Sequence, residues 1–216
     1  MAPPLTDGPV LPDLSDEQKI AWLQLIRSDN VGPVTFRDLI NLCGSAEDAI
    51  LQLPELLKKS PPRKKIKLCS RDRAEREFEA ISKRGWKLIA RGEEFYPEPL
   101  ANFPSSPPLL TVAGNTATLK RPSISIVGSR NASANGQKYT AQLSAELVEA
   151  GFVVTSGFAR GIDTAAHRAS LTNEGTIGVF AGGLDVIYPP TNADLFRAVL
   201  ETGGCVVSEM PMGWKP

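Results

Sequence analysis

The sequence predicts an α/β fold, in which a mainly parallel sheet with helices on both faces follows a small all-α domain. Two patterns support this fold class. From residue 123 onward, apolar strand patterns alternate regularly with amphipathic helix patterns, whereas residues 13–70 carry helix patterns alone. The length of 216 residues leaves room for a small domain and a medium one, each able to bury a core.

The N-terminal end carries no targeting signal. Residues 1–12 are rich in Pro and Gly and lack apolar periodicity, so we expect them to be disordered. They also lack the basic and apolar regions of a secretory signal, and the chain has no apolar run near the ~20 residues of a membrane span. These features favour a cytoplasmic protein.

Metal and disulfide chemistry are not indicated by the cysteines. Cys43, Cys69 and Cys205 are an odd number with long, irregular spacings, which fits neither a disulfide framework nor a zinc site. We therefore expect incidental or buried thiols, no metal and no cofactor.

The charge is balanced overall but not locally. With 24 basic and 24 acidic residues the chain has no net charge, so a polyanion must be met by a local patch. Residues 58–73, KKSPPRKKIKLCSRDR, carry eight basic residues against the single acidic Asp72. A solvated basic linker and a nucleic-acid contact both remain open for this segment.

Residues 13–70 are predicted to form the small helical domain. Ser15 and Gln18 have the spacing of a capping box, and apolar residues follow at helical intervals up to Ile26. The Val31-Gly32-Pro33 turn then resembles the helix-hairpin-helix turn of DNA-binding modules; a plain helical packing domain, similar to a sterile-alpha-motif domain, is the alternative. Two further helices are predicted over residues 35–42 and 46–51, the last ending before Pro54.

Residues 71–122 are predicted to connect the two domains. A charged helix over residues 74–84 ends at Gly85, and a short strand follows over residues 86–90. The prolines between residues 93 and 115 argue against regular helix there, so we expect extended chain with one strand at residues 109–112.

The strand and helix patterns of residues 123–216 predict a Rossmann-like, doubly wound domain. Short loops between alternating strands and helices indicate right-handed βαβ units and a parallel sheet. The predicted strands are residues 123–127, 152–155, 176–180 and 205–208, and the predicted helices are residues 137–149, 162–171 and 193–201.

Each of these strands ends in a polar turn, and the carboxyl ends of parallel strands share one edge of a sheet, where open α/β folds bind ligands. In the first turn, Gly128 permits close backbone approach, and Ser129 and Arg130 offer a hydroxyl and a fork of donors to a phosphate. The spacing is not GxGxxG, and no acidic residue ends the next strand, which disfavours a dinucleotide redox site. A tight turn with an exposed Arg is the alternative.

The second turn, residues 156–163, supplies Ser156, Gly157, Arg160 and Gly161 to the same edge. Asp163 follows, with His167 four positions later on the same helix face.

A nucleophile, acid and base could be read here, but Ser156 lacks a G-x-S-x-G elbow. A structural role for the pair Asp163 and His167, hydrogen-bonded to each other, is favoured over catalysis, and we assign no catalytic residue.

The third turn, residues 181–185, adds Gly182 and Gly183, with Asp185 as a supporting residue, and Tyr188 follows with a ring suited to stacking on a base. The fourth turn, residues 208–213, carries Glu209. This carboxylate is expected either to hydrogen-bond a sugar or base, or to orient Arg130.

Four motifs occur in order: GSR at 128–130, SGFARGIDTAAH at 156–167, GGLDVIYPP at 182–190 and SEMPMG at 208–213. Together they resemble the DNA-processing protein A (DprA, also called Smf) family of bacteria, and Tyr96-Pro97 and Pro107-Pro108 also fit. The resemblance implies a non-enzymatic, cytosolic protein that binds single-stranded DNA, protects DNA taken up in natural transformation and helps load RecA recombinase. It also implies a homodimer for the full-length protein.

Carried over by position, the resemblance implies that Ser129, Arg130, Ser156, Gly157, Gly182 and Gly183 form a phosphate-gripping pocket. Arg160 falls where the family varies. The family continues beyond SEMPMG, whereas this chain stops at Pro216, so we expect a fragment with an incomplete sheet.

Two other functions remain open for the same fold. Cytokinin-activating phosphoribohydrolases share a similar sheet, although the Gly-Gly here is followed by Leu184-Asp185 rather than the PGGxGT run of those enzymes. A nucleotide-sensing module is the third possibility.

Overall fold

The computed structural model describes residues 13–59 and 65–216, so the predicted disorder of residues 1–12 and the middle of the basic stretch lie outside the described residues. The chain divides into two compact units. One comprises the described part of Met1–Arg84 with Leu88–Leu110, and the other comprises Gly85–Lys87 with Thr111–Pro216.

Helices make up most of the first unit. Ser15 caps the first helix in the predicted capping box, in which the Ser15 side chain accepts from the Gln18 N–H and the Gln18 side chain accepts from the Ser15 N–H. The rings of Trp22 and Phe36 pack edge to face with their centres 5.0 Å apart. Gly32 caps the second helix, whose first position is Pro33. The helices are α1 (Asp16–Ile26), α2 (Pro33–Cys43), α3 (Ala46–Lys59), α4 (Arg71–Ser82) and α5 (Glu98–Ala101).

Prolines mislead the sequence prediction at two helices. Pro54 lies inside α3, which continues to Lys59 instead of ending near residue 51. Ala49 and Leu53, both buried, place the apolar face of α3 against α1 and α2, and this packing outweighs the missing N–H of Pro54. The short helix α5 begins after Pro97 and has Pro99 in its first turn, where a proline N–H is not needed, so the expected wholly extended segment is wrong there.

The six strands form one sheet in the order β1-β2-β6-β5-β4-β3. The last four strands of the chain are neighbours and pair in parallel, whereas β2 runs antiparallel to β6. The carboxyl ends of the parallel strands therefore lie at one edge, as predicted. The strands are β1 (Lys87–Ala90), β2 (Leu109–Gly114), β3 (Ser123–Ser125), β4 (Val153–Ser156), β5 (Thr176–Val179) and β6 (Cys205–Ser208).

Helices connect the parallel strands, which confirms the predicted α/β class. Ser133 caps α6 and accepts from the Gly136 N–H, so this helix begins three residues before the predicted start at residue 137. Phe158, Phe180 and Phe196 form an aromatic core with α8. The elements are α6 (Ala134–Glu149), α7 (Ile162–Ala169) and α8 (Ala193–Glu201), with 3-10 helices at Thr116–Lys120 and Pro190–Asn192.

Within the described ranges, none of the helices combines the length and the apolarity that crossing a membrane would require.

Candidate nucleic-acid interface

A cleft of about 240 Å³ lies at the carboxyl edge of the parallel strands. The first three strand-end turns all contribute to it, as the sequence predicted, whereas Glu209 of the fourth turn is not among its walls. The lining residues are Arg130, Gly157, Ala159, Phe180, Ala181, Gly182, Val186, Tyr188 and Pro216.

The first turn presents its polar groups to solvent. Gly128, Ser129 and Arg130 are all exposed. The Ser129 carbonyl accepts from the N–H of Ile162 (3.2 Å), which ties the turn to the start of α7. Among residues 13–59 and 65–216, no carboxylate oxygen forms an ion pair with the Arg130 guanidinium at 4.0 Å or less. The guanidinium is therefore available to a ligand anion.

The second turn combines an occupied hydroxyl with a cleft wall. Ser156 is 2% exposed, and its Oγ donates to the Ile126 carbonyl (2.7 Å), so this hydroxyl links β4 to the residue after β3. Gly157 is exposed and lines the cleft, while Arg160 and Gly161 lie outside its walls. Ser156 therefore supports the turn, and Gly157 is the predicted residue that reaches the ligand space.

Phe158 is a residue of this turn that the sequence analysis missed. It adopts φ = +62°, in the left-handed region, yet its side chain is fully buried. Its ring packs at 5.0 Å from that of Phe180 and 4.9 Å from that of His167. An aromatic residue between two glycines at a strand end was the only available signal, and the positive φ has no counterpart in the sequence pattern.

Asp163 and His167 are both buried, and each forms a hydrogen bond to another group in place of the expected bond between them. Nδ1 of His167 lies 2.6 Å from the Thr176 hydroxyl, which itself donates to the Val154 carbonyl. The Asp163 carboxylate accepts from the Ala159 N–H (3.3 Å). Burial lowers the pKa of His167 to about 4, against the opposing effect of a backbone hydrogen bond at Ser156.

The third turn is covered by the chain itself. The Gly183 N–H donates to the Trp214 carbonyl (2.9 Å), and a Cβ on Gly182 would lie 2.6 Å from that same oxygen. A Cβ on Gly183 would collide with the Pro211 carbonyl. We call residues 211–216 the covering segment. Both glycines thus permit this close approach, and they are buried.

The Asp185 side chain contacts the covering segment, and the Ser208 side chain contacts the third turn itself. Oδ1 of Asp185 accepts from the Gly213 N–H (2.8 Å), and Ser208 donates to the Gly182 carbonyl (2.7 Å). Tyr188 is 55% exposed and lines the cleft. Asp185 therefore joins the third turn to the covering segment through its side chain.

The part of the chain that the structure describes contains no group of three or more His, Cys, Asp or Glu side chains arranged to hold a metal ion. The cysteines are free thiols, and burial raises the pKa of Cys205 to about 12, which leaves it protonated and unreactive at neutral pH.

Fold and cleft together define an α/β protein with a candidate ligand site at the carboxyl edge of a parallel sheet. The family model described as DNA recombination-mediator protein A matches residues 87–216, and that of the DprA-like N-terminal HHH domain matches residues 16–80. The chain belongs to the DNA recombination-mediator protein A family, which confirms the resemblance drawn from the motifs and the small helical domain.

Relatives from several bacteria share this similarity. The chain is 40% identical over 126 residues to protein Smf of Synechocystis sp., covering 56% of this chain and 31% of that protein. It is 41% identical over 125 residues to DNA processing protein DprA of Streptococcus pneumoniae, covering 57% of this chain and 44% of that protein. The chain thus spans less than half the length of these relatives.

Solved structures agree with the fold. That of DNA processing protein A from Streptococcus pneumoniae has a TM-score of 0.65 at 28% identity and covers 95% of this chain and 71% of its own. A second structure is DNA processing protein A from Helicobacter pylori, which is described for its single-stranded DNA binding mode. It has a TM-score of 0.54 at 26% identity, and the match covers 61% of this chain and 58% of that one.

Proposed function

We propose that this chain binds single-stranded DNA in the cleft and, as part of a recombination mediator, protects incoming DNA and helps load RecA recombinase during natural transformation. The observation that carries the proposal is the position of Arg130. Its exposed guanidinium lines a cleft that also contains an accessible tyrosine ring.

The chemistry of the cleft suits one nucleotide of a longer strand. Arg130 offers paired donors to phosphate oxygens, and Tyr188 offers a stacking face to a base, an interaction that every base can make. Phe180 and Val186 add apolar surface to the wall of the same cleft. The cleft is smaller than the roughly 300 Å³ at which pockets for whole small molecules begin, which favours a strand segment over a free dinucleotide cofactor.

The same geometry argues for binding without catalysis. The Ser156 hydroxyl donates its hydrogen bond to the Ile126 carbonyl, and both Asp163 and His167 are buried. A nucleophile or a general base must reach the substrate, so these groups are poorly placed for phosphoribohydrolase chemistry. A non-enzymatic role agrees with the description of the family as recombination mediators.

The binding proposal is tested with Arg130→Ala and, as a matched control, Arg197→Ala on α8, which removes an exposed arginine that does not line the cleft. We expect Arg130→Ala to weaken binding of a fluorescent single-stranded oligonucleotide at least about tenfold and to reduce the salt slope by about 1. The control should change neither value by much. Equal affinity of wild type and Arg130→Ala would refute the proposed site.

The mediator part of the proposal has a separate test. Filament formation by RecA on single-stranded DNA should be faster in the presence of the full-length cytoplasmic protein, and light scattering should detect its homodimer. A rate that does not depend on the protein would refute the loading role while leaving the binding role intact.

A further inference from the structure

A buried amide side chain lies behind the cleft, where the proposed DNA contacts do not use it. Asn192 is 3% exposed and ends the 3-10 helix Pro190–Asn192. Its backbone N–H donates to the Pro189 carbonyl (3.0 Å), immediately after the cleft residue Tyr188. Asn192 therefore belongs to the loop that carries one wall of the cleft.

The side chain of Asn192 reaches the opposite wall. Its Nδ2 group donates to the Phe158 carbonyl and to the Thr164 hydroxyl, both at 3.0 Å. The Thr164 hydroxyl in turn donates to the Ala159 carbonyl (2.7 Å). Both amide protons are thus used, and two consecutive carbonyls of the second turn depend on one side chain in the Tyr188 loop.

The backbone that Asn192 contacts is in an unfavourable conformation. The left-handed φ of +62° at Phe158 is energetically unfavourable for a residue with a side chain. Ring burial and the hydrogen bond to the Phe158 carbonyl oppose that cost. Without the bond, relaxation of Phe158 would move its neighbours Gly157 and Ala159, which are both cleft walls.

We propose that Asn192 is a positioning residue of the cleft, whose two hydrogen bonds fix the separation between the wall at Gly157 and Ala159 and the wall at Tyr188. This inference rests on the proposed function, because it concerns how the same cleft recognises single-stranded DNA. A strand is bound tightly only if the stacking ring stands at a set distance from the turn beside Arg130.

The test begins with Asn192→Asp, which preserves the shape of the side chain but cannot donate either hydrogen bond. We expect about tenfold weaker binding of a single-stranded oligonucleotide. Thr164→Val removes the hydroxyl that links Asn192 to the Ala159 carbonyl but keeps the bond from Asn192 to the Phe158 carbonyl. It should weaken binding about threefold. The matched control is Thr118→Val, which deletes another buried hydroxyl, bonded to the Gly203 carbonyl (3.2 Å) outside the cleft, and should leave affinity unchanged.

A double-mutant cycle with Tyr188→Ala separates positioning from general stabilisation. If Asn192 acts by placing the Tyr188 wall, the loss from Asn192→Asp shrinks when the ring is absent, so the double variant binds better than the product of the single losses predicts. If Asn192 only stabilises the fold, the affinity loss of the double variant equals the product of the two single losses. Hydrogen exchange of the Ala159 N–H, measured without DNA, should also be faster in Asn192→Asp.

The outcomes distinguish the two proposals. A wild-type chain that does not bind the oligonucleotide overturns the proposed function and this inference together. If the wild type binds, two results overturn only the positioning role. One is an affinity of Asn192→Asp equal to that of the wild type; the other is a double variant whose affinity loss equals the product of the losses from Asn192→Asp and Tyr188→Ala. Should Asn192→Asp fail to fold in thermal melts, Thr164→Val carries the same cycle and decides by the same criteria.

Discussion

Two of the strand-end turns that line the cleft, residues 128–130 and residues 181–185, meet different neighbours. The first turn is held from behind, through the Ser129 carbonyl and the Ile162 N–H, and its residues face solvent. The third turn is held from the front, because the covering segment lies on Gly182 and Gly183 and accepts the Gly183 N–H. Strand-end glycines in both turns allow close packing, in the first turn of Gly128 against the Ile162 side chain behind it and in the third turn against the covering segment. The packing, and not the glycine itself, therefore decides whether a turn stays open.

The largest expected effect concerns the covered turn. Gly183→Ala would place a Cβ against the Pro211 carbonyl, a backbone atom that cannot rotate away. We expect the free energy of unfolding to fall by about 3 kcal/mol, the upper end for overpacking, in urea denaturation.

Gly213→Ala is the matched control in the covering segment itself. Gly213 has φ = +77° but open space around its Cβ position, so only the backbone cost of about 1 kcal/mol applies. Equal losses for the two variants would mean that the covering segment moves aside easily, and the contrast between the turns would then be false.

The free energy of unfolding should depend on pH, because His167 is buried against Phe158 of the second turn. Burial lowers the pKa of His167 from its ordinary value of 6.5 to about 4, so the unfolded chain takes up a proton first as the pH falls. The free energy of unfolding is therefore highest above about pH 6.5. It falls by about 3 kcal/mol in total as the pH is lowered to about 4.

Urea denaturation between pH 7 and pH 4.5 measures this decline. His167→Gln removes the only histidine and should flatten the slope above pH 5, where carboxylates titrate little. A wild-type stability that is constant between pH 6.5 and pH 5 would contradict the buried, neutral imidazole.

The residue pattern predicted the edge of the sheet but not which groups at that edge are accessible. The sequence pattern placed α8 and β6 at their observed bounds, because α8 has a clear apolar face and β6 is a short run of residues that are all buried. The same pattern could not show that the Ser156 hydroxyl bonds to Ile126, since that contact joins residues far apart in the chain. Pro54 shows the converse: tertiary packing of α3 outweighs a local helix-breaking signal.

A smaller effect is expected where the third turn passes into the cleft wall. Tyr188→Ala removes the exposed ring and should weaken oligonucleotide binding by about 2 kcal/mol, within the range for base stacking on an aromatic side chain. Tyr188→Phe keeps the ring and should bind nearly as wild type. Tyr139, also exposed but on α6 and outside the cleft, provides the control Tyr139→Ala. Equal affinity losses in fluorescence anisotropy for Tyr188→Ala and Tyr139→Ala would remove the ring from the site.

The smallest expected effect tests how the covering segment is attached. The Asp185 carboxylate accepts a single hydrogen bond from the Gly213 N–H on an exposed surface, and Asp185→Ala should cost about 1 kcal/mol of unfolding free energy, the usual net value of one such bond. Asp185→Asn retains an acceptor oxygen and should cost less. If Asp185→Ala instead lowers stability as much as Gly183→Ala, the carboxylate rather than the glycine contact holds the segment, and the covered turn owes its closure to a side chain that is visible in the sequence.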